Sequence, residues 1–281
     1  MNRNILFIFL SLAAIGALAQ QKADIEVSYT AHHPNLRNGK DDMTNQYVLL
    51  VGGDESKFFS PRTEYIDSLN STPDGQVKYE EMTRAAYLGG KMKDMPRADG
   101  SYYVVKSGQR NTLTYYDKVG TERYYYEEEI PDIEWEVGDS TKTILGYECF
   151  EATADFHGRK WSVWFTPEIP IVAGPWKLSG VPGLILEATA EGGQYGFVAD
   201  GIQKTDKIIT SVYLANEYEK TDRIKFLKAN RNFNDNPIGS INAQFAGRGI
   251  SIGRVKNENG EDVSDRLFVA RETVDFIETD Y

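Results

Sequence analysis

Apolar and polar residues alternate with a period of two along most of this chain, and Gly, Asn, Asp and Pro break the alternation at short intervals. Residues 25–29 alternate cleanly. Residues 47–51 form an apolar run stopped by Gly52-Gly53, and 57–60 are set to pair with it across that turn. Residues 102–106, 112–117 and 122–127 read as a meander joined at Ser107-Gly108 and Val119-Gly120. Strands at 143–145, 149–155 and 160–166 follow, with His157-Gly158 as a tight hairpin corner. Strands at 184–190, 195–199 and 207–214 complete the set. Two segments change period. Residues 77–88 place Tyr79, Met82 and Ala86 at helical spacing between Pro73-Asp74-Gly75 and Gly89-Gly90. Residues 217–230 gather Tyr218, Ile224, Phe226 and Leu227 on one face amid mixed charge, as a helix lying on a sheet does.

This pattern predicts a mainly β fold: an antiparallel, strongly curved sheet or half-barrel with one or two covering helices. From 234 onward the pattern weakens. Asn236-Pro237 reads as a turn, glycines interrupt short apolar runs, and 267–281 is acidic. The expected organisation is a β-rich domain over 20–239 and a C-terminal appendage over 240–281.

Residues 1–19 read as a signal peptide: Arg3, then the apolar run 5–15, then Ala17-Leu18-Ala19. That run is about half of the ~20 residues a membrane-spanning helix needs. No second run follows, so no transmembrane segment is expected after cleavage. The expected location is the periplasm, the cell envelope or the extracellular space. With 42 acidic against 31 basic residues the chain carries a formal charge of −11, which argues against a nucleic-acid partner. Cys149 is the sole cysteine and forms no internal disulfide; on its strand it reads as a small buried hydrophobe.

Candidate chemistry is sparse. Tyrosines concentrate in the meander, often in adjacent pairs, and adjacent strand residues face opposite sides of a sheet. Each pair then puts one ring inward and one outward. The rings serve either cross-strand packing or an aromatic wall for a ligand, with Tyr103, Tyr116 and Tyr125 as the wall candidates. His32-His33 is a weak metal candidate, because two adjacent ligands lack a spaced third. No Gly-x-Ser-x-Gly elbow marks a nucleophile. The acidic runs 127–129 and Glu134/Glu136 are either a solvated face or a carboxylate-based glycosidase site. No cofactor is expected.

The densest signal is 174–186, where two Gly/Pro corners flank Trp176 and lead into an apolar strand. One reading is a corner that seals the sheet, with Trp176 and Leu178 as a plug. The other is a ligand mouth or docking anchor made by Trp176, Leu178, Val181 and Pro182. Gly180-Val181-Pro182-Gly183-Leu184-Ile185 resembles the signature hexapeptide of the GLPGLI family, with Val181 at its second position. Leu145-Gly146-Tyr147-Glu148-Cys149, the Trp161/Trp164 hairpin, Gly174-Pro175-Trp176-Lys177-Leu178 and Asn236-Pro237-Ile238 are similar to its other motifs. The resemblance implies an exported β-rich protein of Gram-negative bacteria, related to carriers of apolar ligands. The expected function is a non-enzymatic extracytoplasmic binding or accessory protein that holds an apolar ligand or an envelope protein on its sheet. The alternatives are an accessory subunit of outer-membrane transport machinery, and a hydrolase with a carboxylate-based site.

Overall fold

The computed structural model describes residues 21–34, 42–248, 253, 260–261 and 276–281. The signal-peptide reading of 1–19 and most of the 240–281 appendage lie outside them. Twelve strands among these residues join edge to edge in a single open sheet. In chain order they are β1 (Ile25–Pro34), β2 (Asp42–Gly52), β3 (Glu55–Phe59), β4 (Tyr103–Ser107), β5 (Thr112–Val119), β6 (Glu122–Glu129), β7 (Glu136–Ile144), β8 (Tyr147–Phe156), β9 (Arg159–Thr166), β10 (Leu184–Ala190), β11 (Gly196–Lys204) and β12 (Glu219–Lys220). Their spatial order is β12-β6-β5-β4-β3-β2-β1-β11-β10-β9-β8-β7. All pairs are antiparallel except β12 on β6, so the sheet is mixed rather than purely antiparallel.

Helices α1 (Pro61–Asn70) and α2 (Pro73–Leu88) leave the sheet after β3, and α3 (Arg223–Asp235) and α4 (Pro237–Phe245) follow β12. Each begins at a polar cap: Ser60, Thr72, Asp222 and Asn236 accept from the backbone N–H three residues on. α1 and α4 depart from the sequence reading for one reason. Pro61 and Pro237 are each the first residue of a helix, where a missing N–H costs nothing. Asn236-Pro237 is therefore a helix start, not a turn. Residues 207–214 form no strand; only Ile208 bridges, to Lys22.

The sheet buries side chains on both faces. One face carries the larger core, with Tyr29, Tyr47, Phe58, Leu113, Tyr115, Tyr126, Trp161 and Phe197. The other carries Leu50, Phe59, Tyr103, Ile209, Val212 and Tyr218. Segment 174–186 belongs to the larger core. Trp176 is 1% exposed and packs against Trp161 at 5.6 Å between ring centroids. Leu178 and Val181 are fully buried, and only Gly180 and Pro182 of the segment are exposed. A Cβ on Gly183 would lie 2.2 Å from the Thr166 carbonyl oxygen, so the segment's last corner has room for glycine alone. The segment is a plug in the core. Trp176 offers no surface to a partner.

Candidate functional site

A cavity of about 760 Å3 opens against the larger core face. Strand β5 supplies its chemistry through the period of two. Leu113, Tyr115, Asp117 and Val119 share the buried face, so the alternation that hides Leu113 also turns the Asp117 carboxyl inward. Tyr47 of β2 and Tyr102 line the same cavity beside Tyr115. These rings belong to a stacked row of Phe58, Tyr47, Tyr102, Tyr115 and Tyr126, with successive centroids 4.8, 4.9, 5.6 and 5.1 Å apart. Gly100 makes room for the row, since a Cβ there would meet the Tyr47 hydroxyl at 2.2 Å. Phe226 of α3 meets Tyr115 edge-on at 5.8 Å.

Polar groups sit around this aromatic surface. Asn230 and Asn234 project from α3, and His32, His33 and Asn45 come from β1 and β2. His33 Nε2 lies 2.5 Å from Asn45 Oδ1, and Asn45 Nδ2 donates to Asp99. Asp117 is 7% exposed. Its Oδ1 accepts from the Lys118 N–H at 2.7 Å and its Oδ2 from the Tyr115 hydroxyl at 3.1 Å. Burial pushes the Asp117 carboxyl above the usual carboxylate range, and hydrogen bonds from Ser101, Lys118 and Tyr115 oppose that only partly. Burial also raises the Tyr47, Tyr102 and Tyr115 phenols, so all three remain neutral donors. Asp117 is the one carboxylate among the described lining residues.

A second cluster adjoins the cavity. Lys177, fully buried, pairs with Glu128 at 2.7 Å and Glu278 at 2.9 Å. Its ammonium also lies within 5.0 to 5.7 Å of the Tyr126, Tyr115 and Trp176 ring centroids. Glu278 further pairs with Arg223 at 2.5 Å, and Asp280 with Arg223 and with His157 at 3.2 Å. Burial raises the Glu278 carboxyl, but Lys177, His157 and Arg223 outweigh it and hold the group below its ordinary range. His157, Glu278 and Asp280 are the one group among the described residues with metal-ligand spacing. The Arg223 guanidinium already occupies both carboxylates, which makes this an ion-pair cluster.

The sequence candidates fall in three places. Trp176, Leu178 and Val181 are core, and Pro182 is exposed outside the cavity. Tyr103, Tyr116 and Tyr125 lie on the opposite sheet face: Tyr103 donates to Asp67 at 2.7 Å, and Tyr116 stacks on Tyr125 at 5.5 Å. The in-and-out pairing of tyrosines holds, and the cavity takes the other member, Tyr102 and Tyr115. His32 and His33 do line the cavity, and among the described residues no third metal ligand is grouped with them. Glu127, Glu129, Glu134 and Glu136 are exposed and do not line this cavity, so they supply it with no carboxylate pair. Sequence reasoning passed over Asp117, Lys177 and the segment 276–281.

Residues 109–227, less than half of the chain, match the family model described as N-glycanase peptide, N-terminal domain. This overturns the GLPGLI resemblance, which rested on short Gly/Pro-framed motifs that any sealed β-corner can carry. It also weighs against a non-enzymatic binding protein and in favour of the hydrolase alternative. Two crystal structures of PNGF-II, in space groups P21 and C2, are similar to this chain at 16% identity with a TM-score of 0.48. Each similarity covers 74% of this chain, and the chain spans about a third (33% and 32%) of the length of those structures. No curated protein sequence matches. Among the described residues no helix is long and apolar enough to cross a membrane.

Proposed function

We propose that this protein is a hydrolase of the N-glycanase type, whose cavity receives the carbohydrate of an N-linked glycoconjugate and whose acid is Asp117. The observation that carries this reading is the position of β5. The strand lies inside the stretch matching the N-glycanase domain, and it turns Tyr115 and Asp117 together into a large cavity. Sugar rings have apolar faces and hydroxyl rims. Stacked tyrosines suit the former, and Asn230, Asn234, Asn45 and His33 suit the latter. A carboxyl whose hold on its proton is strengthened by burial can, when protonated, give that proton to a leaving group as its bond to the sugar breaks. Since no second carboxylate lines the described wall, the chemistry proposed is not a two-carboxylate displacement: Asp117 protonates the departing nitrogen as its bond to the sugar C1 breaks, and water bonds to C1 and returns its proton to the Asp117 carboxylate, leaving free sugar and the peptide amide. In this reading the sheet curves around the substrate with α3 and α4 over its open side, 20–239 forms the working domain, and the protein is exported.

The test is direct. Purified protein is incubated with an N-glycosylated peptide, and the products are weighed by mass spectrometry. Free glycan and a correspondingly lighter peptide are expected. An intact glycopeptide after exhaustive incubation across acidic to neutral pH rules the reading out.

A further inference from the structure

Residues 276–281 are tied at every position. Arg159 donates to the carbonyls of Phe276 and Ile277 at 2.5 to 3.2 Å. The Thr279 N–H donates to the His157 carbonyl at 3.0 Å, and its hydroxyl to the Gly158 carbonyl at 2.9 Å. Glu278 sits on Lys177 and Arg223, Asp280 on Arg223 and His157, and Arg231 donates to the Tyr281 hydroxyl at 3.0 Å. The seat is built in advance. A Cβ on Gly158 would collide with the Thr279 hydroxyl at 2.3 Å, so the β8–β9 corner is shaped to let this segment approach. Fixing six residues without strand or helix carries an entropic cost. What the fixation achieves is to set Phe276 and Ile277 into the wall of the cavity that Tyr102, Tyr115 and Asp117 line.

We infer that segment 276–281 is a specificity-determining wall of the cavity, with Phe276 and Ile277 facing the ligand and Glu278, seated on Lys177, as their positioning residue. The inference rests on the reading that the cavity is the substrate site, and it gives the buried Lys177 of segment 174–186 a role in that site. Phe276 and Glu278 are both buried, the ring at the ligand space and the carboxylate on the cation. Arg231 stacks over the Phe276 ring at 4.1 Å and fixes the ring's position.

The seat has a definite pH dependence. Glu278 and Asp280 are held below their ordinary range, so the docking they support is present at neutral pH and is lost as pH falls through their folded values. Burial lowers His157, so its contribution also fades as pH falls, in the same direction. As the carboxylates protonate, Lys177 and Arg223 lose their ion-pair partners in this segment.

The wall is tested on the full chain with Phe276→Ala, Glu278→Gln and Glu278→Asp. The probes are the β-linked dimer and tetramer of N-acetylglucosamine. Phe276→Ala is expected to weaken dimer binding about tenfold, the loss of one aromatic contact, and to shift the dimer-to-tetramer preference toward one. Glu278→Gln is expected to reproduce that shift and to speed proteolytic release of segment 276–281 at neutral pH to the rate the wild type shows in acid. Glu278→Asp is expected to restore both. Faster release with wild-type affinities and preference overturns the wall. If the wild type binds neither sugar, the carbohydrate reading fails by itself. The dye 1-anilinonaphthalene-8-sulfonate then decides: a several-fold fluorescence change in Phe276→Ala and Glu278→Gln upholds the wall, and identical binding overturns it. Should Glu278→Gln not fold, the Phe276→Ala measurements decide alone.

Discussion

Asp117→Asn is expected to slow glycan release by about 100- to 10,000-fold, the usual contribution of a positioned proton donor. The side chain keeps its shape, and the Asn oxygen can still accept from the Lys118 N–H that now bonds Oδ1 at 2.7 Å. The proton is what disappears. Burial raises the wild-type carboxyl, so activity should be high where Asp117 is protonated and fall as pH rises through that elevated value. The variant should lack this limb. Stability should move the other way. A carboxyl raised in the folded state favours folding at low pH and opposes it once ionised, so Asp117→Asn should unfold no more easily than wild type at neutral pH. Lost activity in a protein of equal or greater stability identifies a chemical role. Lost activity together with lost stability would make Asp117 a structural residue and remove the proposed acid.

The second large effect falls on Lys177. Lys177→Met is expected to destabilise the protein by about 3–5 kcal/mol, because it removes the one buried cation that Glu278 and Glu128 share. Glu278 is 2% exposed and would keep Arg223 and His157, while Glu128 would lose its close cation. Charge, not volume, is at stake, since Met fills nearly the same space among the rings of Trp176, Tyr115 and Tyr126. The double variant Lys177→Met/Glu278→Gln should therefore recover part of the loss, giving a coupling energy in a double-mutant cycle by urea unfolding. Purely additive losses would mean that the two residues do not act as a pair.

Much of this architecture was legible in the sequence. The meander of β4, β5 and β6, the β2–β3 hairpin and the His157-Gly158 corner follow from alternation plus turn residues, which are local signals. Parity was not legible. Tyr102-Tyr103, Tyr115-Tyr116 and Tyr125-Tyr126 offer identical chemistry to both faces, and a one-residue choice sends every ring to the wrong side. Leu113 and Val119 could have resolved it: they bracket Tyr115 and Asp117 in one buried phase, so a carboxylate stands where alternation calls for an apolar residue. Lys177 carried a similar signal as a lone cation inside an otherwise uncharged run that is buried nearly throughout. The docking of 276–281 had none, because its partners at 157–159, 177 and 223–231 are distant in sequence and are brought together only by the sheet. The Gly/Pro-framed corner misled family assignment for a related reason. Such a corner reports how a strand is entered and sealed, and that is a property of fold rather than of function.

The central claim is that carbohydrate binds in this cavity against the tyrosine row. Saturation-transfer difference NMR on an N-glycosylated peptide tests it most directly. With wild-type protein, saturation should reach the sugar ring protons more strongly than the peptide protons, and Tyr102→Ala should abolish that transfer while leaving the fold intact. Transfer confined to the peptide, or sugar transfer unchanged in Tyr102→Ala, would contradict carbohydrate binding at this site.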